Sequence, residues 1–279
     1  MAGKRGLVMG VANDHSIAWG IARRLAESGA ELAFTYQTEQ LAKRVRPLAQ
    51  SVNSDLILPC DVGLPAESDD PQSVASMLAL LARRWETIDF VVHAIAFSDK
   101  NELKGRYAAT TRDNFLKTMV ISCFSFTEVA RLAAPMMKNG GSMVTLTFGG
   151  SSRVMPNYNV MGIAKAALEA SVRYLAADFG SDGIRVNAIS AGPVRTLAGA
   201  GVADARLMFN YQKRNAPLRR TVTIEEIGNT ALYLLSDLGS GVTGEIHYVD
   251  SGYNIMAMPR IDELKAADAR EEGEPETAE

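Results

Sequence analysis

The stretch Leu7-Val-Met-Gly10-Val-Ala-Asn-Asp-His-Ser16-Ile17 joins an apolar run to a helical pattern through a glycine-containing turn. Leu7 to Met9 reads as a short strand. Beyond Ser16, the apolar residues Ile17, Ile21 and Leu25 recur at i, i+4 and i+8, the period of a helix. Ala18, Ala22 and Ala26 run beside them and let that helix approach a sheet closely. Gly29 stands at the usual stop position, and Glu31 to Tyr36 reads as a second strand. Strand, glycine turn, helix and strand make a βαβ opening whose helix N-terminus can hold a pyrophosphate. The spacing is Gly10, Ser16, Gly20 rather than Gly-x-Gly-x-x-Gly, so a turn without a ligand stays open from this stretch alone. Ser16 can cap the helix or reach a phosphate.

Working outward, the strand–helix alternation continues. The second strand ends at Gln37, where a site for NAD usually carries an acidic residue for the ribose hydroxyls. Gln37 is neutral but still hydrogen-bonding, and no Lys or Arg follows before Lys43 to meet a 2′-phosphate. NADH is therefore expected rather than NADPH. A third strand, Leu56 to Cys60, runs into Asp61 and Val62, a position suited to an adenine. Leu78 to Trp85 continues a helix. Asp89 to Phe97 is nearly continuous in apolar residues, as a central parallel strand covered on both faces should be. The small residues around Ile95, Ala94 and Ala96, leave room for a flat ring beside the backbone. His93, inside this run, reads as a core histidine.

The second half carries the reactive side chains. Phe115 to Met137 reads as a long helix, stopped by Asn139-Gly-Gly141, and Ser142 to Thr147 as a strand leading into Phe148-Gly-Gly-Ser-Ser152. Then comes Met155-Pro-Asn-Tyr158-Asn-Val-Met-Gly-Ile-Ala-Lys165, with its helix continuing to Phe179. Seven steps of 100° return a side chain to within about 20° of its starting direction, with about 10 Å of rise. If the helix runs through both, Tyr158 and Lys165 share a face. A phenol with an ammonium behind it can stabilise a developing oxyanion. Taken without its surroundings, such a pair is common on helices. Ile184 to Ser190 is a further strand, and it turns outward through Ala191-Gly-Pro-Val-Arg-Thr-Leu197 at the edge where open α/β sheets bind ligands. Ile224 to Leu235 reads as a helix and Gly244 to Val249 as a last strand.

Composition narrows the classes. The net charge of −3 provides no basic field, so nucleic acid is not an expected partner. Cys60 and Cys123 lack metal-ligand spacing, the three histidines are scattered singly, and no metal site is expected. The first apolar run is too short for a leader core or a membrane span, which points to a cytoplasmic protein with no membrane partner. Residues 1–258 are expected to form one domain. Residues 259–279, rich in charge, are expected to be a mobile tail.

The set Gly10-x5-Ser16, Tyr158-x6-Lys165 and Arg185-Val-Asn-Ala-Ile-Ser-Ala-Gly-Pro-Val-Arg-Thr-Leu197 resembles the enoyl-acyl-carrier-protein reductases of bacterial type II fatty-acid synthesis. These belong to the short-chain dehydrogenase/reductase superfamily, and the resemblance covers about residues 4 to 258. The Tyr158-Asn-Val-Met-Gly-x-Ala-Lys165 block and the block from Pro217 to Thr223 are specific to this branch. Ordinary members of the superfamily carry Tyr-x3-Lys, but Met161 stands four before Lys165 here. Placing the Tyr three residues earlier shifts it by roughly 4.5 Å along a helix. That suits a thioester oxyanion while hydride goes to a carbon two bonds further away.

The resemblance implies a single Rossmann-like doubly wound α/β domain with a largely parallel central sheet of about seven strands. It implies reduction of the trans-2 double bond of an enoyl thioester by NADH, the thioester being carried by an acyl carrier protein, in a homotetramer. Tyr158 and Lys165 would be catalytic, Lys165 also holding the nicotinamide ribose. Cofactor contacts would fall on Gly10, Ser16, Ile17, Gln37, Asp61, Val62, Ile95, Val194, Arg195, Thr196, Leu197 and Ala198. Ser98 and Tyr158 would touch substrate. Phe148 departs from the many bacterial members with a second Tyr there, as the mycobacterial type also does. The segment from Ala198 to Asn215 resembles the family's substrate loop, with Leu207, Met208 and Phe209 available to cover an acyl chain. Lys213, Arg214, Arg219 and Arg220 cluster beside it and would suit an acidic carrier. Two alternatives stay open: a paralogue reducing another activated alkene or a carbonyl, and a dinucleotide-binding protein without chemistry.

Overall fold

A computed structural model describes residues 1–194, 196 and 205–271. Seven strands form one parallel sheet: β1 (Arg5–Met9), β2 (Glu31–Tyr36), β3 (Ile57–Pro59), β4 (Phe90–His93), β5 (Gly141–Thr147), β6 (Ile184–Ala191) and β7 (Ile246–Val249). Their order is β3-β2-β1-β4-β5-β6-β7. The direction of winding therefore reverses between β1 and β4, and a crevice opens there at the carboxyl ends of the strands.

Alternation along the strands divides the core into two layers. Leu7, Met9, Val91, Met143, Val186 and Ala188 face one side. There they meet α3 (Val74–Ala82), α4 (Arg112–Met119), α5 (Ser125–Ala133) and α6 (Asn159–Phe179). Val8, Phe90, Val92, Val144, Ile189 and Ala191 face the other, against α1 (Ile17–Glu27), α2 (Glu39–Ser51) and, after α7 (Ala205–Asn215), α8 (Ile224–Leu235). This period of two, with both sides dry, explains the near-continuous apolar runs of the central strands.

The long helix expected over 115–137 runs without a break from Arg112 to Met136, with Val120–Phe124 between α4 and α5 wound as a π-helix. The apolar span from Arg112 to Met136 is long and apolar enough to cross a membrane by length and composition alone, and 44% of that window is buried inside the protein. It packs through Phe126, Val129 and Ala130 into the sheet layer. Beyond residue 259, where a mobile tail is expected, Ile261–Glu271 forms a further helix, α9, tied to α7 through Glu263.

α1 and α8 cross so closely that each needs a glycine. A Cβ on Gly20 would lie 2.5 Å from Ile224 O, and one on Gly228 would lie 2.6 Å from Gly20 O. The contact is backbone against backbone and has no flexible side chain that could yield. Gly228→Ala should therefore lower stability by about 1–3 kcal/mol, the usual cost of overpacking. Urea unfolding of the variant beside wild type checks this, and an unchanged midpoint contradicts the close approach.

Candidate active site

The nucleotide end of the crevice begins at Gly10. Its φ is +99°, and a Cβ there would lie 2.1 Å from Ala94 O, so glycine lets the chain pass between the ends of β1 and β4. Ser16 then closes the turn. Its Oγ accepts from Ala12 N (3.0 Å) and Asn13 N (3.1 Å) and donates to Asn13 Oδ1 (3.2 Å). The helix-capping role open to Ser16 is not taken: no side chain caps α1, whereas Thr38, Ser73, Thr111 and Thr223 cap α2, α3, α4 and α8. The first N–H groups of α1 are thus left for an anion. At the far end, Gln37 Nε2 donates to Asp61 Oδ2 (3.0 Å), and Asp61 Oδ1 accepts from Gly63 N (2.8 Å). Val62 is buried beside them. These residues fit a dinucleotide: a glycine cradle, an uncapped helix end and a neutral amide fixed by a carboxylate.

The other end is a cavity of about 390 Å³ lined by Ile17, Phe97, Ser98, Leu103, Phe148, Met155, Tyr158, Met161, Val194, Thr196, Met208, Phe209 and Gln212, among others. Most of these side chains are apolar, so the cavity suits an aliphatic or aromatic ligand. Ile95 lies past the end of β4, which stops at His93, and packs partly against the core. Arg195, Leu197 and Ala198, expected to touch the cofactor, lie outside the described residues.

Tyr158 stands at the N-cap position of α6, without a side-chain capping bond, between Asn157 (φ +57°) and the first helical residue Asn159 (φ +30°), both left-handed. Tyr158 O nevertheless accepts from Met161 N (2.9 Å), so the phenol sits one step before the helix that carries Lys165. Asparagine tolerates this conformation best among non-glycine residues. Asn159 also uses its side chain: Nδ2 faces the carbonyls of Glu102, Lys104 and Gly105 at 3.2–3.3 Å and holds the 102–105 loop to the site. The phenol ring packs edge-on against Phe148, with centroids 5.2 Å apart. Burial, followed by the Glu169 carboxylate, raises the Tyr158 pKa, so the phenol stays protonated.

Lys165 is 5% exposed, and its Nζ donates to Leu146 O (2.8 Å). Burial lowers its pKa to about 8 against the opposing pull of Cys123 and Glu169. Glu169 is fixed in turn by Thr147 Oγ1, which donates to it at 2.6 Å. Sequence reading missed Thr147 and Glu169, although the i, i+4 spacing from Lys165 to Glu169 was visible. It also missed the support of Ser98: Thr118 Oγ1 donates to Ser98 Oγ (2.9 Å), and the Asn114 amide lies 3.3 Å away. His93 is a core residue as expected. It is fully buried between Thr145 Oγ1 (3.2 Å) and Ser125 Oγ (3.0 Å), and burial lowers its pKa to about 3, so it is neutral.

Of the expected basic cluster, Lys213, Arg214 and Arg219 gather around one groove with Arg260, and the carboxylates of Asp262 and Glu263 line it too. Arg220 turns instead to Glu226 of α8, with contacts of 2.6 and 2.8 Å.

Comparison with known proteins bears on the chemistry. The family model described as Enoyl-(Acyl carrier protein) reductase matches residues 10–254. The chain is 71% identical to "Enoyl-[acyl-carrier-protein] reductase [NADH] 2" of Rhizobium meliloti over 96% of this chain and 98% of the relative. Among solved structures, FabI from Candidatus Liberibacter asiaticus superposes with a TM-score of 0.89 at 61% identity, covering 93% of this chain and 98% of that one. The reductase of Anaplasma phagocytophilum, solved in complex with NAD, gives a TM-score of 0.88 at 55% identity over 94% and 97% of the two chains.

The buried ammonium has a stability signature. The folded pKa of Lys165, about 8, lies below its ordinary value of 10.5. Between these two values the unfolded chain holds a proton that the native chain has released, so the Lys165 contribution to stability rises with pH in that window. Wild type should therefore gain stability relative to Lys165→Met between about pH 8 and 10. Urea midpoints of the two proteins across that range check this, and parallel curves contradict the depressed pKa.

Proposed function

We infer the reaction from two facts: the chain belongs to the enoyl-(acyl carrier protein) reductase family, and its Tyr158 lines an apolar cavity at the start of the helix that buries Lys165, beside a dinucleotide crevice. It is an NADH-dependent oxidoreductase that reduces the trans-2 double bond of enoyl-acyl-carrier-protein thioesters in fatty-acid synthesis. Gly10, the N-terminus of α1, Gln37 and Lys165 would hold NADH, which when bound supplies the hydride that adds to Cβ of the thioester.

The protein's part is to stabilise the enolate that results. The phenol of Tyr158, kept protonated by burial, donates to the thioester oxygen as negative charge gathers there. Lys165, buried on the helix that Tyr158 opens, would hold the nicotinamide ribose, and Cys123 and Glu169 oppose the loss of its proton on burial. Cα then takes a proton that comes from solvent, and the enolate collapses to the saturated thioester. Phe148 contributes an apolar edge to the phenol and no hydrogen bond. Met161, at the position of the tyrosine in ordinary superfamily members, lines the cavity and has no proton to give. The observation that carries the assignment is Tyr158 at the N-cap position of the helix that buries Lys165.

The partner is an acyl carrier protein, and Lys213 and Arg219 support an acidic face docking beside α7, in a groove where Arg214 and Arg260 are already paired with Glu263 and Asp262. We place the enzyme in the cytoplasm. The free buried thiols of Cys60 and Cys123 suit a reducing compartment. We also assign it a homotetramer. Leu116, Val120 and Phe124 follow one another at i, i+4 and i+8 and are 51%, 37% and 53% exposed, and the neighbouring helix α6 exposes Ile163 and Tyr174. An apolar row this long supports coverage by another copy. Phe124→Glu should then shift the sedimentation coefficient to a smaller species, and an unchanged coefficient contradicts a subunit contact on this face.

The reaction is checked by following NADH oxidation with a trans-2-enoyl thioester beside a β-ketoacyl thioester, for wild type and Tyr158→Phe. Oxidation should depend on the enoyl substrate and fall by about 10²-fold or more in the variant, the scale of losing one oxyanion donor. Oxidation with the ketoacyl thioester alone would instead establish a carbonyl reductase.

A further inference from the structure

α7 forms one wall of the cavity through Met208, Phe209 and Gln212, while its far end is held by residues outside the site. Asn215, the last residue of α7, is 1% exposed. Its Nδ2 donates to Tyr211 O (3.0 Å) and to Glu263 Oε2 (2.8 Å), and its Oδ1 accepts from Arg260 N (3.0 Å). The other oxygen of Glu263 accepts from Arg214 Nε. One carboxylate of the first turn of α9 therefore ties two consecutive residues at the end of α7. Its side chain is only 20% exposed, and the Asn215 and Arg214 hydrogen bonds hold its pKa below the usual carboxylate range.

The segment leading to α9 is also fastened to the loop before Met155 and to α7 itself. Arg153 Nη1 donates to Met256 O (3.2 Å), and the Tyr253 ring packs edge-on against Tyr211 of α7. Residues 253–263 thus run as a strap from the loop before Met155 to the end of α7. An isolated exposed ion pair would contribute little. Here the charge shares a network with a buried amide, where hydrogen bonds to charged groups are stronger. A carboxylate at a helix C-terminus is otherwise unfavourable, so this contact depends on Arg214 and Asn215.

We propose that Glu263 is a positioning residue that fixes α7 from the C-terminal helix, holds Met208 and Phe209 over the acyl chain, and thereby favours long acyl chains over short ones. The proposal rests on the enoyl-thioester reading of the cavity.

The test compares wild type, Glu263→Ala and Glu263→Gln in the full-length enzyme, with dodecenoyl and crotonyl thioesters of N-acetylcysteamine, which bypass the carrier. Hydrogen exchange of the 205–215 amides is measured in parallel. Glu263→Ala should raise KM for the dodecenoyl thioester about five- to tenfold, a weakening of about 1 kcal/mol or slightly more. Turnover and the KM values for the crotonyl thioester and NADH should stay within about twofold. Glu263→Gln, which keeps an acceptor for Asn215, should fall between. Exchange in α7 should quicken by about tenfold in Glu263→Ala. An unchanged dodecenoyl KM, an equal rise for both thioesters, or unchanged α7 exchange each overturns the proposal. If wild type reduces neither thioester while α7 exchange still quickens in the variant, the reaction assignment fails and the anchoring role of Glu263 stands.

Discussion

The site depends on keeping an ammonium inside the protein. Lys165 is almost wholly removed from water, and burying an unpaired charge is costly. Three features limit that cost. The Leu146 carbonyl accepts from Nζ, Glu169 supplies a nearby negative charge, and Thr147 fixes Glu169 in place. Leu146 and Thr147 are neighbours on β5, while Lys165 and Glu169 are one turn apart on α6. The packing of this strand on this helix therefore places the charge, and Tyr158 at the mouth of the same helix inherits its position. A phenol held protonated by burial is suited to meeting an enolate and poorly suited to acting as a base.

The glycines serve the same end from the opposite side of the crevice. Gly10 allows β1 to leave the sheet against the Ala94 carbonyl, which opens the space between β1 and β4. Gly20 and Gly228 bring α8 onto α1 and so fix the helix whose uncapped N-terminus faces that space. The substrate side is built differently. Loop 102–105 is held by Asn159, Ser98 by Thr118 and Asn114, and the wall α7 by Asn215 and Glu263. The cofactor side is thus shaped by backbone contacts that a single methyl group would disturb, and the substrate side by side-chain hydrogen bonds.

Much of this was legible in the sequence because it follows from periodicity. The apolar run Leu7 to Met9 and the four-residue spacing of Ile17, Ile21 and Leu25 read as a strand followed by a helix, whereas the sorting of Leu7 and Met9 from Val8 onto opposite faces of the sheet shows only in the fold. Tyr158 and Lys165 were legible as a pair, but their geometry was not. Seven-residue spacing assumes an unbroken helix, and the left-handed Asn157 and Asn159 start α6 one residue after the phenol. Propensity also says little about Ser16, whose hydroxyl closes the turn instead of capping α1. The π-helical stretch at Val120–Phe124 leaves the hydrophobic pattern nearly unchanged, and so escapes a reading by period. Composition marked the chain beyond 259 as too polar to build a core. It could not show that Glu263 finds a cation and a buried amide in α7.

The central claim is that hydride enters at Cβ while Tyr158 meets the charge on the thioester oxygen. The most direct measurement is the position of label in the product. Crotonyl thioester is reduced with NADH deuterated at the transferable position, and separately with ordinary NADH in deuterated water, followed by mass spectrometry or NMR of the butyryl product. The account expects cofactor deuterium at C3 and solvent deuterium at C2. Cofactor deuterium at C2 or at the carbonyl carbon would contradict it, because the charge would then not develop at the oxygen that Tyr158 is placed to meet.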